Sequence, residues 1–279
     1  MSRPALPAFL FVLLLAAFAS AQDTVRVVPD TTHVASSDTV PIVPGRLPDA
    51  TFIYARIDTT DLKLDLYLPP NRRPDTSGGL RAFEALPPMP FVLWLHGGGW
   101  RGGTRADPCP AMYLLDSGYA VISADYRLSA SAPWPAQIHD AKAALRWLRA
   151  HVDSLNLDSA RGAAWGTSAG GQLAALLGLT TPADSLDGRV GVDSGATPAP
   201  TKVGAVVMYH APTDFLEFHP RRWKRGSSIS QLLGCPVPDC PVAARHASPA
   251  AYVDSDDPPV FLAHGTADST VPVTQAYRM

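Results

Sequence analysis

The chain has little cysteine, almost no net charge and a single long apolar run, and each shortage removes a class of function. Its 279 residues include 3 cysteines. Neither a paired Cys-x-x-Cys nor a His-Glu-x-x-His occurs, so the common zinc frameworks are absent. No metal and no cofactor is expected. Lys and Arg number 23 against 25 Asp and Glu, a formal net charge of -2. That balance gives no electrostatic reason to expect nucleic acid or an anionic membrane surface as a partner. Histidine is missing after His264, a shortage that matters below. At 46% hydrophobic and 17% charged residues, the chain is globular in composition and long enough for one sizeable core.

The one long apolar run is at the N-terminus. Arg3 supplies a positive start, Phe9 to Phe18 is an apolar stretch too short to span a membrane, and Ala19-Ser20-Ala21 is an A-x-A cleavage site. Residues 1–21 therefore read as a signal peptide, with Gln22 as the mature N-terminus. The expected location is exported, either periplasmic or secreted, where disulfides are permitted. Cys235 and Cys240 stand close together in a Pro-rich loop and are expected to pair. Cys109 is left over, either buried and reduced or paired between chains. Residues 22–50 are rich in Thr, Asp, Val and Pro without a sustained period and read as an extended leader.

The chemistry centres on Gly166-Thr167-Ser168-Ala169-Gly170-Gly171. Gly-x-Ser-x-Gly sets a serine on a sharp turn between a buried strand and a helix. The context is present: Ala163-Ala164-Trp165 ends an apolar run, and Leu173, Ala174, Leu176 and Leu177 recur at helical spacing. Such a motif alone is weak, since loops collect serine and glycine. A second one strengthens it. His96-Gly97-Gly98-Gly99-Trp100 follows the apolar run Phe91–Leu95. Its glycines let backbone N–H groups approach a substrate oxygen. With the N–H of Ala169, those of Gly97 and Gly98 would form an oxyanion hole.

Around these motifs, strand and helix patterns alternate. Thr51 to Leu68 reads as one half-exposed strand near a sheet edge, with Leu62, Leu64, Leu66 and Leu68 on one side. Residues 69–89 read as a loop and 107–117 as a helix or turn. Strands are expected at Phe91–Leu95, Tyr119–Ala124, Val203–Tyr209 and Pro259–Ala263. Pro135 opens a helix whose buried face carries Ile138, Ala141, Leu145, Leu148 and Val152. Repeated strand–helix units imply a mostly parallel sheet with helices on both faces. Residues 212–250 are long and irregular and are expected to cap the carboxyl ends of the strands, where ligands bind in such sheets.

Taken together, these segments resemble the α/β-hydrolase superfamily, and within it exported esterases of the hormone-sensitive-lipase and feruloyl/acetyl-xylan-esterase-like group. The likeness is carried by His96–Trp100, Asp125–Ser129, Pro135–Asp140, Trp147-Leu148-Arg149, Gly166–Gly171 and His264-Gly265-Thr266-Ala267-Asp268. It covers residues 51–279. The resemblance implies Ser168 as nucleophile, Asp268 as triad acid, and a small-molecule or carbohydrate-linked carboxylic ester as substrate. It also implies that the region of Cys109 commonly pairs with a cysteine in the following helix; Ala141 stands there, which leaves Cys109 free. A peptidase of the same fold is a second reading, weakened because the propeller domain of dipeptidyl-type enzymes is missing. A non-catalytic binding module is the third.

The pattern breaks at the base. Triad order in this fold is Ser, Asp, His, yet the eleven residues after Asp268 contain no histidine. The expectation is a hydrolase domain whose C-terminal part, with the histidine, is missing from this chain; a protein that lost its base is the alternative. Among the other histidines, His96 and His264 read as scaffold residues. His139 and His151 belong to the helix after Pro135, and His33 to the leader. His219 and His246 fall in the cap. His210, after a strand and near Asp214, is the one serious substitute, though none is expected to serve. Asp214 reads as a turn cap, Asp254, Asp256 and Asp257 as a turn, and Arg221–Arg225 as a solvated run around one packed tryptophan. Trp100 and Trp223 are open to either core packing or an aromatic acyl pocket.

Overall fold

The computed structural model describes residues 25–26, 46–73, 86–192, 199–218 and 223–279. The signal-peptide reading, most of the leader, His33, His219, Arg221 and Arg222 lie outside the described residues. An eight-stranded sheet organises the rest: β1 (Val25–Arg26), β2 (Ala50–Ile57), β3 (Thr60–Tyr67), β4 (Met89–Leu95), β5 (Ala120–Ala124), β6 (Leu157–Thr167), β7 (Ala205–Tyr209) and β8 (Val260–Ala263). Their order is β1-β8-β7-β6-β4-β5-β3-β2. β4 to β8 and β1 pair in parallel, while β3 pairs antiparallel with both β5 and β2.

The central strands are apolar on both faces because both faces are covered. Phe91, Leu93 and Leu95 of β4 join one buried cluster, with residues of helices α1 (Ala136–Ala150) and α3 (Ala169–Leu179). Val92 and Trp94 face the other way, into a cluster with Ala111, Leu114 and Leu115 of a 3-10 helix, Pro110–Ser117. A short helix α2 (Val152–Leu155) leads from α1 into β6. Among the described residues no helix is long and apolar enough to cross a membrane.

Two expectations need correction. The stretch from Thr51 to Leu68 is two strands. β2 and β3 form a hairpin, and Asp58 makes the turn possible by adopting a φ of 52°, a left-handed conformation that a short polar side chain tolerates. The edge is β2, and Leu62, Leu64 and Leu66 are buried in β3 behind it. Within the leader, Val25–Arg26 pairs with Val260–Phe261 as the strand at the other edge.

After β7 the chain makes the expected irregular excursion. It contains helices α4 (Ser228–Leu233) and α5 (Pro241–His246) among short 3-10 turns. Cys235 and Cys240 within it are joined by a disulfide, and Cys109 is free and buried. The excursion packs on the glycine loop. Ser228 lies beside Gly99, and Phe215 sets its ring edge-on to Trp100, 5.5 Å between centroids.

Candidate active site

The site lies where β4, β6, β7 and β8 end. β6 stops at Thr167, Ser168 turns sharply, and α3 begins at Ala169. Ser168 has φ 55° and ψ −118°, a conformation that costs a non-glycine residue about 1–3 kcal/mol and persists only where its surroundings dictate it. They do. The Ser168 N–H donates to the Tyr209 carbonyl at 2.8 Å, and the Ser168 carbonyl accepts from the Gln172 N–H at 3.1 Å. Glycine is obligatory at two neighbours. A Cβ on Gly166 would overlap the Gly170 carbonyl, and one on Gly170 would overlap the carbonyls of Leu95 and His96. Among the described residues no hydrogen bond engages Ser168 Oγ.

The glycine loop leaves β4 directly against this turn. A Cβ on Gly97 would stand 3.7 Å from Ser168 Cβ. Gly98, Gly99 and Trp100 all have positive φ, at 103°, 61° and 58°. Ala169 opens α3, so its N–H is one of the four that a helix leaves without an internal partner. His96 is buried, its ring stacked on Tyr126 at 4.2 Å. Its Nδ1 donates to the Gly97 carbonyl at 2.8 Å, and Tyr126 Oη donates to the His96 carbonyl at 2.8 Å. Burial pushes the His96 pKa below its ordinary value. This histidine is scaffold for the loop.

The third element is the loop after β8. Asp268 Oδ1 accepts the N–H groups of Thr270 at 2.7 Å and Val271 at 2.9 Å. Desolvation acts to raise its pKa, but these donors and the nearby His264 and His210 outweigh it and hold the carboxyl below its ordinary value. His264 Nε2 donates to the Val271 carbonyl at 2.7 Å and stands 3.9 Å from Asp268 Oδ2.

His210 directly follows β7 with φ 38°, its N–H on the Ala263 carbonyl at 2.8 Å. The carboxylate whose field reaches its ring is Asp268. Asp214 instead accepts from the Leu216 N–H at 3.0 Å and caps its own turn. The His210 and His264 rings lie 6.4 Å apart. The remaining described histidines are engaged elsewhere. His139 packs on Gly188, His151 bonds and stacks on Trp147, and His246 accepts from Trp134 Nε1 at 3.1 Å. Among the described residues, no histidine is hydrogen-bonded to Ser168, and no cluster of His, Cys, Asp and Glu could hold a metal ion.

Trp100 is core, 2% exposed, and Trp223 donates its indole N–H to the Phe215 carbonyl at 3.1 Å. One buried polar residue of the site went unremarked in the sequence, Gln172, which is 0% exposed. The Arg127–Asp140 ion pair, at 2.7 Å, fixes the segment after β5 to α1 and explains the Asp-Tyr-Arg and Pro-Ala-Gln-Ile-His-Asp motifs as structural.

The chain is similar to known esterases. Esterase LipC of Mycobacterium tuberculosis is 34% identical over 193 residues, 68% of this chain and 47% of LipC. The chain spans about half the length of the curated relatives it matches. Among solved structures, a truncated carbohydrate esterase from gut microbiota is 26% identical, with a TM-score of 0.61 over 82% of this chain and 81% of that one. The Thermogutta terrifontis esterase Est2 shares the fold at 24% identity, with a TM-score of 0.61 over 82% of this chain and 74% of Est2. The BD-FAE family model matches residues 81–279, from ahead of β4 through the Asp268 loop. With its α/β-hydrolase fold, the chain belongs to the BD-FAE family.

Proposed function

We propose that this chain is the hydrolase domain of an exported serine esterase that cleaves short-chain or carbohydrate-linked carboxylic esters through an acyl-enzyme. The observation that carries the reading is Ser168 held at φ 55° beside Gly97. Ser168 Oγ attacks the ester carbonyl, and the N–H groups of Gly97, Gly98 and Ala169 receive the charge that develops on the carbonyl oxygen. Asp268 orients and stabilises the imidazolium of the base that takes the serine proton. Water then attacks the acyl-serine and releases the acid. The small-ester substrate needs no cofactor and no nucleic-acid partner. Export is supported by the signal-peptide pattern of residues 1–21 and is consistent with the Cys235–Cys240 disulfide.

The test is covalent labelling by a fluorophosphonate together with p-nitrophenyl acetate hydrolysis, both with imidazole added as an external base. Labelling at Ser168, and hydrolysis that disappears in Ser168→Ala, is the expected result. A folded chain that labels nowhere would support a non-catalytic binding module. Faster cleavage of peptide amides than of esters would revive the peptidase reading.

A further inference from the structure

Gln172 lies one helical turn beyond Ser168 on α3 and is fully buried. Its two amide ends reach different parts of the chain. Oε1 accepts the indole N–H of Trp100 at 3.1 Å, and Nε2 donates to the Ala247 carbonyl at 2.8 Å. The partners fix the orientation of the amide, because an indole nitrogen only donates and a carbonyl only accepts. One side chain thus joins α3, the last residue of the glycine loop and the segment that follows α5.

Trp100 needs such a partner. Its φ of 58° is unfavourable for a residue with a large side chain, and it ends a run of three positive-φ residues from Gly98. Three contacts fix it: the bond to Gln172, the edge-on contact with Phe215, and its own carbonyl accepting from the Ser129 N–H at 2.7 Å. Of these, only the Gln172 bond ties the loop to α3, the helix that begins directly after Ser168. Oxyanion donors act only if they stand in register with the reacting carbon before the reaction starts.

We infer that Gln172 is a positioning residue that holds the glycine loop in register with Ser168 and couples that register to the cap through Ala247. The inference rests on the esterase reading for its catalytic consequence. The bridge itself is tested independently of activity.

The variants are Gln172→Met, which keeps the length and removes both hydrogen bonds, and Trp100→Phe, which removes the indole donor together with part of the buried ring and keeps an aromatic side chain. Amide hydrogen exchange across residues 97–100 should quicken about tenfold or more in both, with β4 and β6 unchanged. In the p-nitrophenyl acetate assay with imidazole, kcat should fall about 10- to 100-fold while KM stays within about threefold, since a shifted donor is lost mainly in the transition state. The double variant should lose less than the product of the two single losses, because the Trp100–Gln172 bond is removed in each. Unchanged exchange in a folded Gln172→Met, or multiplicative effects in the double variant, would overturn the inference. Should Gln172→Met fail to fold, the exchange of Trp100→Phe decides the matter. A wild-type chain with no Ser168-dependent hydrolysis would count against the esterase reading and leave the exchange comparison to judge the bridge.

Discussion

The Cα of Gly170 is pressed against the carbonyl of Leu95, so that a methyl group there would overlap both that oxygen and the carbonyl of His96. This is where α3 meets the end of β4. Neither backbone can move without breaking a strand ladder or the first turn of α3. Gly170→Ala should therefore cost about 3 kcal/mol or more. Gly265, in the loop after β8, has nothing within 4 Å of the same added atom, and Gly265→Ala should change stability by no more than about 0.5 kcal/mol. Urea unfolding of the two variants measures the contrast, and equal midpoints would refute it.

Gly97 is the milder case and the more informative for chemistry. An added Cβ would lie 3.1 Å from the Thr167 carbonyl, a tight contact that a shift of a few tenths of an ångström relieves. Gly97→Ala should fold. Its methyl group, 3.7 Å from Ser168 Cβ, would crowd the proposed nucleophile and displace its proposed oxyanion donor. Ser168-dependent hydrolysis should fall about 100-fold with a stability loss near 1 kcal/mol. Full activity in this variant would remove Gly97 from the oxyanion assignment.

The parts of this site that the sequence announced are those where backbone geometry leaves one choice of residue. Gly166 and Gly170 flank Ser168 because strand and helix touch there, and Gly98 and Gly99 carry two of the three successive positive φ values of the loop. The hairpin of β2 and β3 was illegible because its turn uses Asp58 in place of a glycine, and the uninterrupted leucine alternation from Leu62 gave no sign of a break. Gln172 was illegible for a different reason. Its partners are 72 and 75 residues away in sequence, and a glutamine on an otherwise apolar helix has no local pattern. His210 falls in between. Its place at the end of β7 could be read, but its electrostatic partner depended on how β8 and its loop come back, and that partner is Asp268.

Asp268 has a structural duty that can be separated from its proposed catalytic one. Its Oδ1 closes the loop on the N–H groups of Thr270 and Val271. Asp268→Asn keeps an acceptor oxygen and should unfold within about 1 kcal/mol of wild type, whereas Asp268→Ala should cost about 2–3 kcal/mol. If the carboxylate also stabilises an imidazolium, labelling should slow in both variants despite the retained fold of the asparagine variant. Labelling unaffected by Asp268→Asn would reduce Asp268 to a loop brace.

Stability should decline on mild acidification, and three histidines set the window. His96, His139 and His210 are each held below the ordinary value of 6.5, first by burial. Around His139 the charges of Arg127, Arg146 and Lys142 add to the effect, while Asp268 opposes it at His210. The folded state therefore keeps these rings neutral when the unfolded chain already binds protons. Stability is full above about pH 7 and falls as the pH drops through 6.5 toward the lower folded values, by at most about 1.4 kcal/mol per pH unit for each histidine. Urea midpoints between pH 7.5 and 5.5 measure the slope, and His139→Gln should reduce it by up to one proton. A flat profile would mean that these rings protonate freely in the folded protein.

The proton of Ser168 is the remaining question, and His210 is the histidine to interrogate. Its ring shares the field of Asp268, yet burial favours its neutral form, and no hydrogen bond among the described residues joins it to Ser168. A serine hydroxyl without a positioned base is a poor nucleophile at neutral pH. In the 279-residue chain, fluorophosphonate labelling should thus be slow, and free imidazole should accelerate it at least about tenfold by serving as the base. His210→Ala should alter both rates by less than about threefold, with Ser168→Ala as the unlabelled control. The contrary result has a clear meaning. Rapid labelling without imidazole that His210→Ala abolishes would make His210 the base of a Ser168–His210–Asp268 triad, with all three residues at the ends of neighbouring strands β6, β7 and β8.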